Sequence, residues 1–207
     1  VPKRKILSFL NSFDKIAFQK TLTKEQPKPH PKPYLLFVGR LSPEKNLPAL
    51  MDLMKLLPID LLIAGNGPLY EELAQKKQSE AIENVQLLGT VAWGSLANLY
   101  QHSEALMLVS TAETWGMVAN EAQELGKPVI CTAACGCAND LVIDGKNGLV
   151  LSDITSLANI AKVQRFLQEL PMSQQAIEAF SERNTQIFCV EKLASEMLAG
   201  FQLVIKR

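Results

Sequence analysis

The chain has 207 residues, 47% of them hydrophobic, and its 21 basic and 21 acidic side chains cancel to zero formal charge. That is enough apolar material for one large core or two small ones, and without a basic stripe interleaved with aromatics a nucleic-acid partner is not expected. No apolar run approaches the roughly 20 residues that cross a bilayer, and Cys131, Cys135, Cys137 and Cys189 lack both paired C-x2-C spacing and the density of a disulfide framework, so reduced thiols in a cytoplasmic setting are expected.

The chain opens on Val1-Pro-Lys-Arg-Lys5, with neither an initiator methionine nor the apolar segment of a signal peptide. Residues 1–33 read as an interdomain strand followed by the linker Gln26-Pro-Lys-Pro-His-Pro-Lys-Pro33, whose prolines favour an extended polyproline conformation. From residue 34 short apolar runs alternate with segments of helical spacing. The runs cover residues 34–38, 60–64, 85–88, 105–109, 129–132 and 149–151, rich in Leu, Ile and Val as strands buried on both faces should be. Between them, Leu47, Leu50, Met51, Leu53, Met54 and Leu57 form one apolar helix face, Leu69, Leu73 and Ala74 begin a second, and Leu96, Leu99 and Tyr100 mark a third. Such alternation predicts an α/β fold over residues 34–151, a Rossmann-like parallel sheet with helices on both faces. Residues 152–207 read as helices only, over 157–170, after Pro171 and Met172, and over about 190–204, a tail that packs on the core.

Several turns carry residues suited to ligand chemistry. Gly39-Arg40 follows the first strand, and Lys45 comes five residues later, at the start of a helix with Ser42 as cap and Pro43 just inside. Gly65-Asn66-Gly67-Pro68 closes the second strand in a tight turn. Glu113 and Glu121 flank Gly116 beyond the fourth strand, and Gly126 and Pro128 stop the helix between. Both carboxylates therefore lie near the carboxyl end of a strand, where open α/β sheets place ligands. Glu124 reads as a solvated neighbour. His30, in the linker, and His102, near a helix end, have no readable nucleophile or metal partner, and the cysteines fall short of the usual four zinc ligands. No metal site is expected.

The spacing Glu113-x7-Glu121, with Gly116 between and Gly126-Lys-Pro-Val-Ile130 after, resembles the signature of the retaining GT-B glycosyltransferases of family 4, also called glycosyl transferases group 1. Sucrose-phosphate synthases and bacterial mannosyl- and glucosyltransferases belong to that family. The resemblance implies the carboxyl-terminal, donor-binding half of a two-domain enzyme that transfers a hexose from a nucleoside-diphosphate sugar to a hydroxyl with retention of configuration. Arg40 and Lys45 would then neutralise the donor diphosphate. Glu113 would lie beside the donor sugar and Glu121 would hold the ribose hydroxyls. Gly116, Met117 and Val118 would offer backbone N–H groups at a helix start. Gly39, Asn66 and Gly67 would shape the donor crevice, and Val91, with Leu96, would form an apolar edge for the base.

Asn11, Asp14 and Phe18 match the family's interdomain passage, with Ser12 where a glycine is usual. The acceptor half, and with it a carbohydrate or glycolipid acceptor, is therefore expected outside this chain, as is any contact with the inner membrane face. Gly136, Cys137 and Asp140 occupy the family's Gly-Gly-x-x-Glu turn, with Cys137 in place of the second glycine, and Asp144-Gly-Lys-Asn-Gly148 matches its Asp-Gly-x-x-Gly turn. Such donors need no Asp-x-Asp metal site. Two rival readings are a non-catalytic sugar-nucleotide-binding module and a flavodoxin-like regulatory domain.

Overall fold

The computed structural model describes residues 27–170 and 190–205. The expectations for residues 1–26, including Asn11, Asp14 and Phe18, for the segment after Pro171, and for Cys189 lie outside these residues.

Six strands form one sheet: β1 (Tyr34–Val38), β2 (Asp60–Ala64), β3 (Val85–Gly89), β4 (Ala105–Leu108), β5 (Val129–Thr132) and β6 (Gly148–Leu151). Every pair is parallel and the order is β3-β2-β1-β4-β5-β6. The intervening helices are α1 (Leu47–Met54), α2 (Tyr70–Ser79), α3 (Trp93–His102), α4 (Met117–Glu124) and α5 (Ala138–Leu141), followed by α6 (Leu157–Gln168) and α7 (Val190–Ile205).

Side chains alternate across a strand, so each apolar run feeds both faces. Leu35 and Phe37 join one core, with Leu47, Leu50 and Met51 of α1, Leu73 of α2, and Val163 and Phe166 of α6. Tyr34 and Leu36 join the other, with Leu99 and Tyr100 of α3, Ala119 and Ala122 of α4, and Leu141 of α5. The result is a Rossmann-like sheet between two helical layers. A flavodoxin-like domain would have the order 2-1-3-4-5, so the topology overturns that rival.

The winding direction reverses between β1 and β4, which pair side by side although two strands separate them in sequence. Ligands of open α/β sheets bind outside the carboxyl ends of the strands at such a switch point. The loops after β1 and β4 carry Lys45 and Glu113.

Three local expectations change. The linker does not run as an extended arm: residues 29–32 bend, because His30 docks edge-on to Tyr34 and its Nε2 lies 2.7 Å from Asp60 Oδ2. The Asn98 amide also donates to the Pro27 carbonyl at 3.1 Å. Second, Pro43–Lys45 is a separate 3-10 turn and α1 starts only at Leu47. Asn46 between them adopts a left-handed conformation, φ 58°, which asparagine tolerates better than most residues, and its amide donates to the Val109 carbonyl at 3.3 Å. The Ser42 side chain makes no cap bond and bonds Glu44 instead. Third, Glu124 is buried, at 8% exposure, on the inner side of α4.

Candidate functional site

The crevice is assembled by backbone bonds between neighbouring loops. Gly39 N–H donates to the Ala64 carbonyl and Leu41 N–H to the Asn66 carbonyl, each at 3.0 Å, and Leu69 N–H returns to the Leu41 carbonyl. A Cβ on Gly65 would lie 1.8 Å from the Gly39 carbonyl oxygen, and one on Gly67 would lie 2.5 Å from the Leu41 carbonyl oxygen. Both glycines are thus required by loop-on-loop packing, and the space at Gly67 faces protein backbone.

Beside this packed pair opens a cavity of about 230 Å³, lined among others by Gly39, Arg40, Asn66, Val91 and Leu96. Arg40 and Asn66 are exposed at its rim. Small-molecule sites usually span roughly 300–1,000 Å³, so this cavity suits one moiety of a ligand.

The loop after β4 is held on three sides. Thr111 N–H donates to the Glu44 carbonyl at 2.8 Å, which ties it to the Lys45 turn. On the other flank it runs as a ribbon against the β5–α5 loop: Gly136 N–H donates to the Glu113 carbonyl and Cys137 N–H to the Trp115 carbonyl. From above, the buried Trp115 indole N–H donates to Asn120 Oδ1 of α4 at 2.9 Å. These ties bring the Lys45 ammonium onto Glu113 Oε2 in an ion pair whose side chains are each 17% exposed. Arg40 and Lys45 both act on Glu44, whose carboxyl lies below its usual range through, first, the Ser42 hydroxyl and, to a lesser degree, these two cations.

Gly116 opens α4 with φ 99°, and a Cβ there would lie 2.6 Å from Leu108 Cδ2. Only glycine fits that turn. The N–H groups of Met117 and Val118 begin the helix and carry its partial positive charge. Met117 is exposed and Val118 half-buried. Cys137, which stands where the resembled family has glycine, does not fill the crevice: its thiol is fully buried, 3.4 Å from the position of a Gly116 Cβ. Burial pushes that thiol up to about 12.

Glu121 lies on the next turn of α4, half-buried. Its Oε2 accepts from the Tyr100 hydroxyl at 2.6 Å. Burial raises the Glu121 carboxyl and the Tyr100 bond opposes part of that rise. Sequence reasoning missed Tyr100, Trp115, Asn120 and Asn46 as supports of the site. The available signal was a tyrosine on an otherwise apolar helix face, since a buried hydroxyl needs a partner.

Among the described residues no group of three or more His, Cys, Asp or Glu is placed to hold a metal ion. No helix among them is long and apolar enough to cross a membrane. A larger cavity, about 300 Å³, opens at the amino-terminal pole of the sheet near Lys127 and His102. His102 lies in the last turn of α3, and its Nδ1 is 3.0 Å from the Asn98 carbonyl oxygen.

The chain is 33% identical over 115 residues to an uncharacterised glycosyltransferase of Methanocaldococcus jannaschii, a match covering 56% of this chain and 32% of that protein. Its fold superposes on the sucrose-phosphate synthase of Thermosynechococcus elongatus with TM-score 0.72 and 26% identity, over 96% of this chain and 50% of that one. It also superposes on Anabaena HepE, solved in complex with UDP, with TM-score 0.75 and 22% identity, over 94% of this chain and 56% of that one. The chain thus spans about a third of the curated relative and about half of each solved structure. The family model described as glycosyl transferases group 1 matches residues 18–183, and with a GT-B-type Rossmann sheet behind that match, the chain belongs to the glycosyl transferases group 1 family.

Proposed function

We propose that this chain is the donor-binding half of a glycosyltransferase that moves a hexose from a nucleoside-diphosphate sugar to a hydroxyl acceptor with retention of configuration. The observation that carries the reading is the Lys45–Glu113 pair at the β1/β4 switch point, beside the helix that Gly116 opens. A leaving nucleoside diphosphate gains negative charge as the glycosidic bond breaks, and fixed cations and helix N–H groups stabilise that charge. Arg40, Lys45 and the N–H groups of Met117 and Val118 fill this role. Glu113 accepts from hydroxyls of the sugar and Glu121 from the ribose diol. The base enters the cavity beside Val91, and Gly39, Asn66 and Gly67 hold the wall that shapes it.

The charge of the diphosphate is met by side-chain cations and helix dipole without a metal ion. The organisation that goes with this reading is an interdomain passage over residues 1–33, a donor core over 34–151 and docking helices over 152–207. The acceptor, a carbohydrate or glycolipid, is held by a separate domain, and the enzyme works in the cytoplasm or at the inner membrane face. A non-catalytic sugar-nucleotide-binding module would share this core chemistry, and the transfer assay of a chain joined to its acceptor domain separates the two.

Calorimetric titration with UDP, GDP and ADP and their hexose conjugates, with and without EDTA, tests the reading. Saturable binding of one nucleotide, unaffected by EDTA and weakened in Arg40→Ala and Lys45→Ala, is expected. A folded protein that binds none of them at millimolar concentration would sink the donor assignment.

A further inference from the structure

The Tyr100 ring is fully buried in the core beneath α3 and α4. Its helix is itself fastened to the sheet, because the Tyr34 hydroxyl of β1 donates to the Leu99 carbonyl at 2.7 Å. The position of the Tyr100 oxygen is therefore set by the packing of α3 on the sheet and against α4. From there it donates to Oε2 of Glu121, 21 residues later, at 2.6 Å. An O–H···O⁻ bond of that length is charge-assisted and directional. Oε1 has no hydrogen-bond partner among the described residues.

We propose that Tyr100 is a positioning residue that locks the Glu121 carboxylate in one rotamer and so sets the protein's preference for ribonucleotides over 2′-deoxyribonucleotides. This rests on the reading of Glu121 as the ribose ligand. With Oε2 tethered, the remaining lone pairs point in fixed directions, and a vicinal diol can donate to both oxygens without first ordering a free side chain. A 2′-deoxy sugar offers one donor where the site is built for two, and a half-buried carboxylate left partly unpaired is costly. Burial keeps the phenol far above its ordinary value, with the charge of Glu121 adding to that effect, so Tyr100 is a donor at every pH at which the protein works. Among the described residues Tyr100 is also the ionisable group that acts on Glu121, and it favours the charged form against the desolvation that opposes it.

The test compares wild type, Tyr100→Phe, Glu121→Gln and the double variant, each checked for folding by circular dichroism. Affinities are measured for UDP against 2′-deoxy-UDP and GDP against 2′-deoxy-GDP, over a pH series. For the nucleotide that binds, wild type should prefer the ribo form by about tenfold, as loss of one charge-assisted hydrogen bond implies. Tyr100→Phe should collapse that ratio several-fold and move the acid limb of binding to higher pH, and it should have no further effect on the ratio in the Glu121→Gln background. A carboxyl-carbon NMR titration of Glu121 in the ligand-free chain should show the same upward move. If Glu121→Gln weakens binding while Tyr100→Phe changes neither ratio nor titration, the positioning role is overturned and the ribose assignment stands. If no nucleotide binds, or Glu121→Gln leaves affinity and ratio unchanged, the ribose assignment itself fails and the proposal falls with it.

Discussion

Lys45 and Glu113, 68 positions apart in sequence, form an ion pair because β1 and β4 are neighbours in the sheet. The pair closes the switch-point crevice between two loops already joined by the Thr111–Glu44 backbone bond. On the proposed reading, Lys45 serves both Glu113 and the donor phosphate.

Exchange of Lys45 between these two anions predicts opposite effects for the two partners. Lys45→Ala should weaken a nucleoside diphosphate by about tenfold or more, the scale of one charged hydrogen bond. Glu113→Gln frees the ammonium, so the same nucleotide should bind at least as tightly as to wild type. The preference for the sugar conjugate over the plain diphosphate should vanish in that variant. Isothermal titration of both ligands against both variants reads this directly.

Three glycine substitutions should fall in a fixed order of cost. Gly145→Ala meets open space at φ 74° and carries only left-handed backbone strain, about 1–2 kcal/mol. Gly116→Ala adds a 2.6 Å contact with the movable Leu108 Cδ2 and should cost more. Gly65→Ala drives its Cβ onto the Gly39 carbonyl oxygen at 1.8 Å, where only a shift of the paired loops gives relief, and should be the worst of the three. Urea denaturation midpoints at constant m-value rank them; a Gly65→Ala protein as stable as Gly145→Ala would contradict the packing argument.

Trp115→Phe keeps an aromatic ring at this buried position but removes the five-membered part of the indole with its N–H, leaving a cavity cost as well. The buried Asn120 carbonyl oxygen then loses its partner, at a cost of about 1–3 kcal/mol. Because that bond holds the Glu113 loop to α4, sugar-nucleotide affinity should fall more than affinity for the bare nucleotide. Comparing the denaturation free energy with the two affinities separates a general loss of stability from a loosened loop.

Glu121 should cost the fold stability at neutral pH. Its folded carboxyl lies above the ordinary glutamate value, chiefly through burial, so between the unfolded and folded values the native state binds more protons than the unfolded chain. The contribution is favourable below the unfolded value and is lost as pH rises through the folded one. Glu121→Gln should therefore be stabilised relative to wild type at pH 7 and lose that advantage toward pH 4, while nucleotide affinity drops. Thermal melts of both proteins across that range check the sign.

Most strands were legible because they are buried on both faces, so apolar runs such as those beginning at Tyr34, Asp60 and Val129 stand out without any knowledge of partners, whereas the edge strand β3 is buried only at Val85. The turns were legible because Gly116, Gly65 and Gly67 do work that other residues cannot. The start of α1 was not: Ser42 and Pro43 satisfy the local rules for a helix beginning, yet the Asn46 side chain, bonded to Val109 just beyond β4, accompanies a start at Leu47. Glu124 was misread for a similar reason, since a charged residue on a helix looks solvated until the neighbouring layer is in place.

The sequence alone thus determined the alternation of strand and helix, which rests on solvent exclusion, and it displayed the turn glycines and the family signature at Glu113 and Glu121, which are patterns of residue type and spacing. Tertiary structure alone decided that Lys45 meets Glu113, that Tyr100 holds Glu121, and that Cys137 lies beneath Gly116 and leaves the crevice clear. Those contacts depend on which strands are adjacent and which helices share a face. Sheet order is a property of the whole packed core, and local spacing does not encode it.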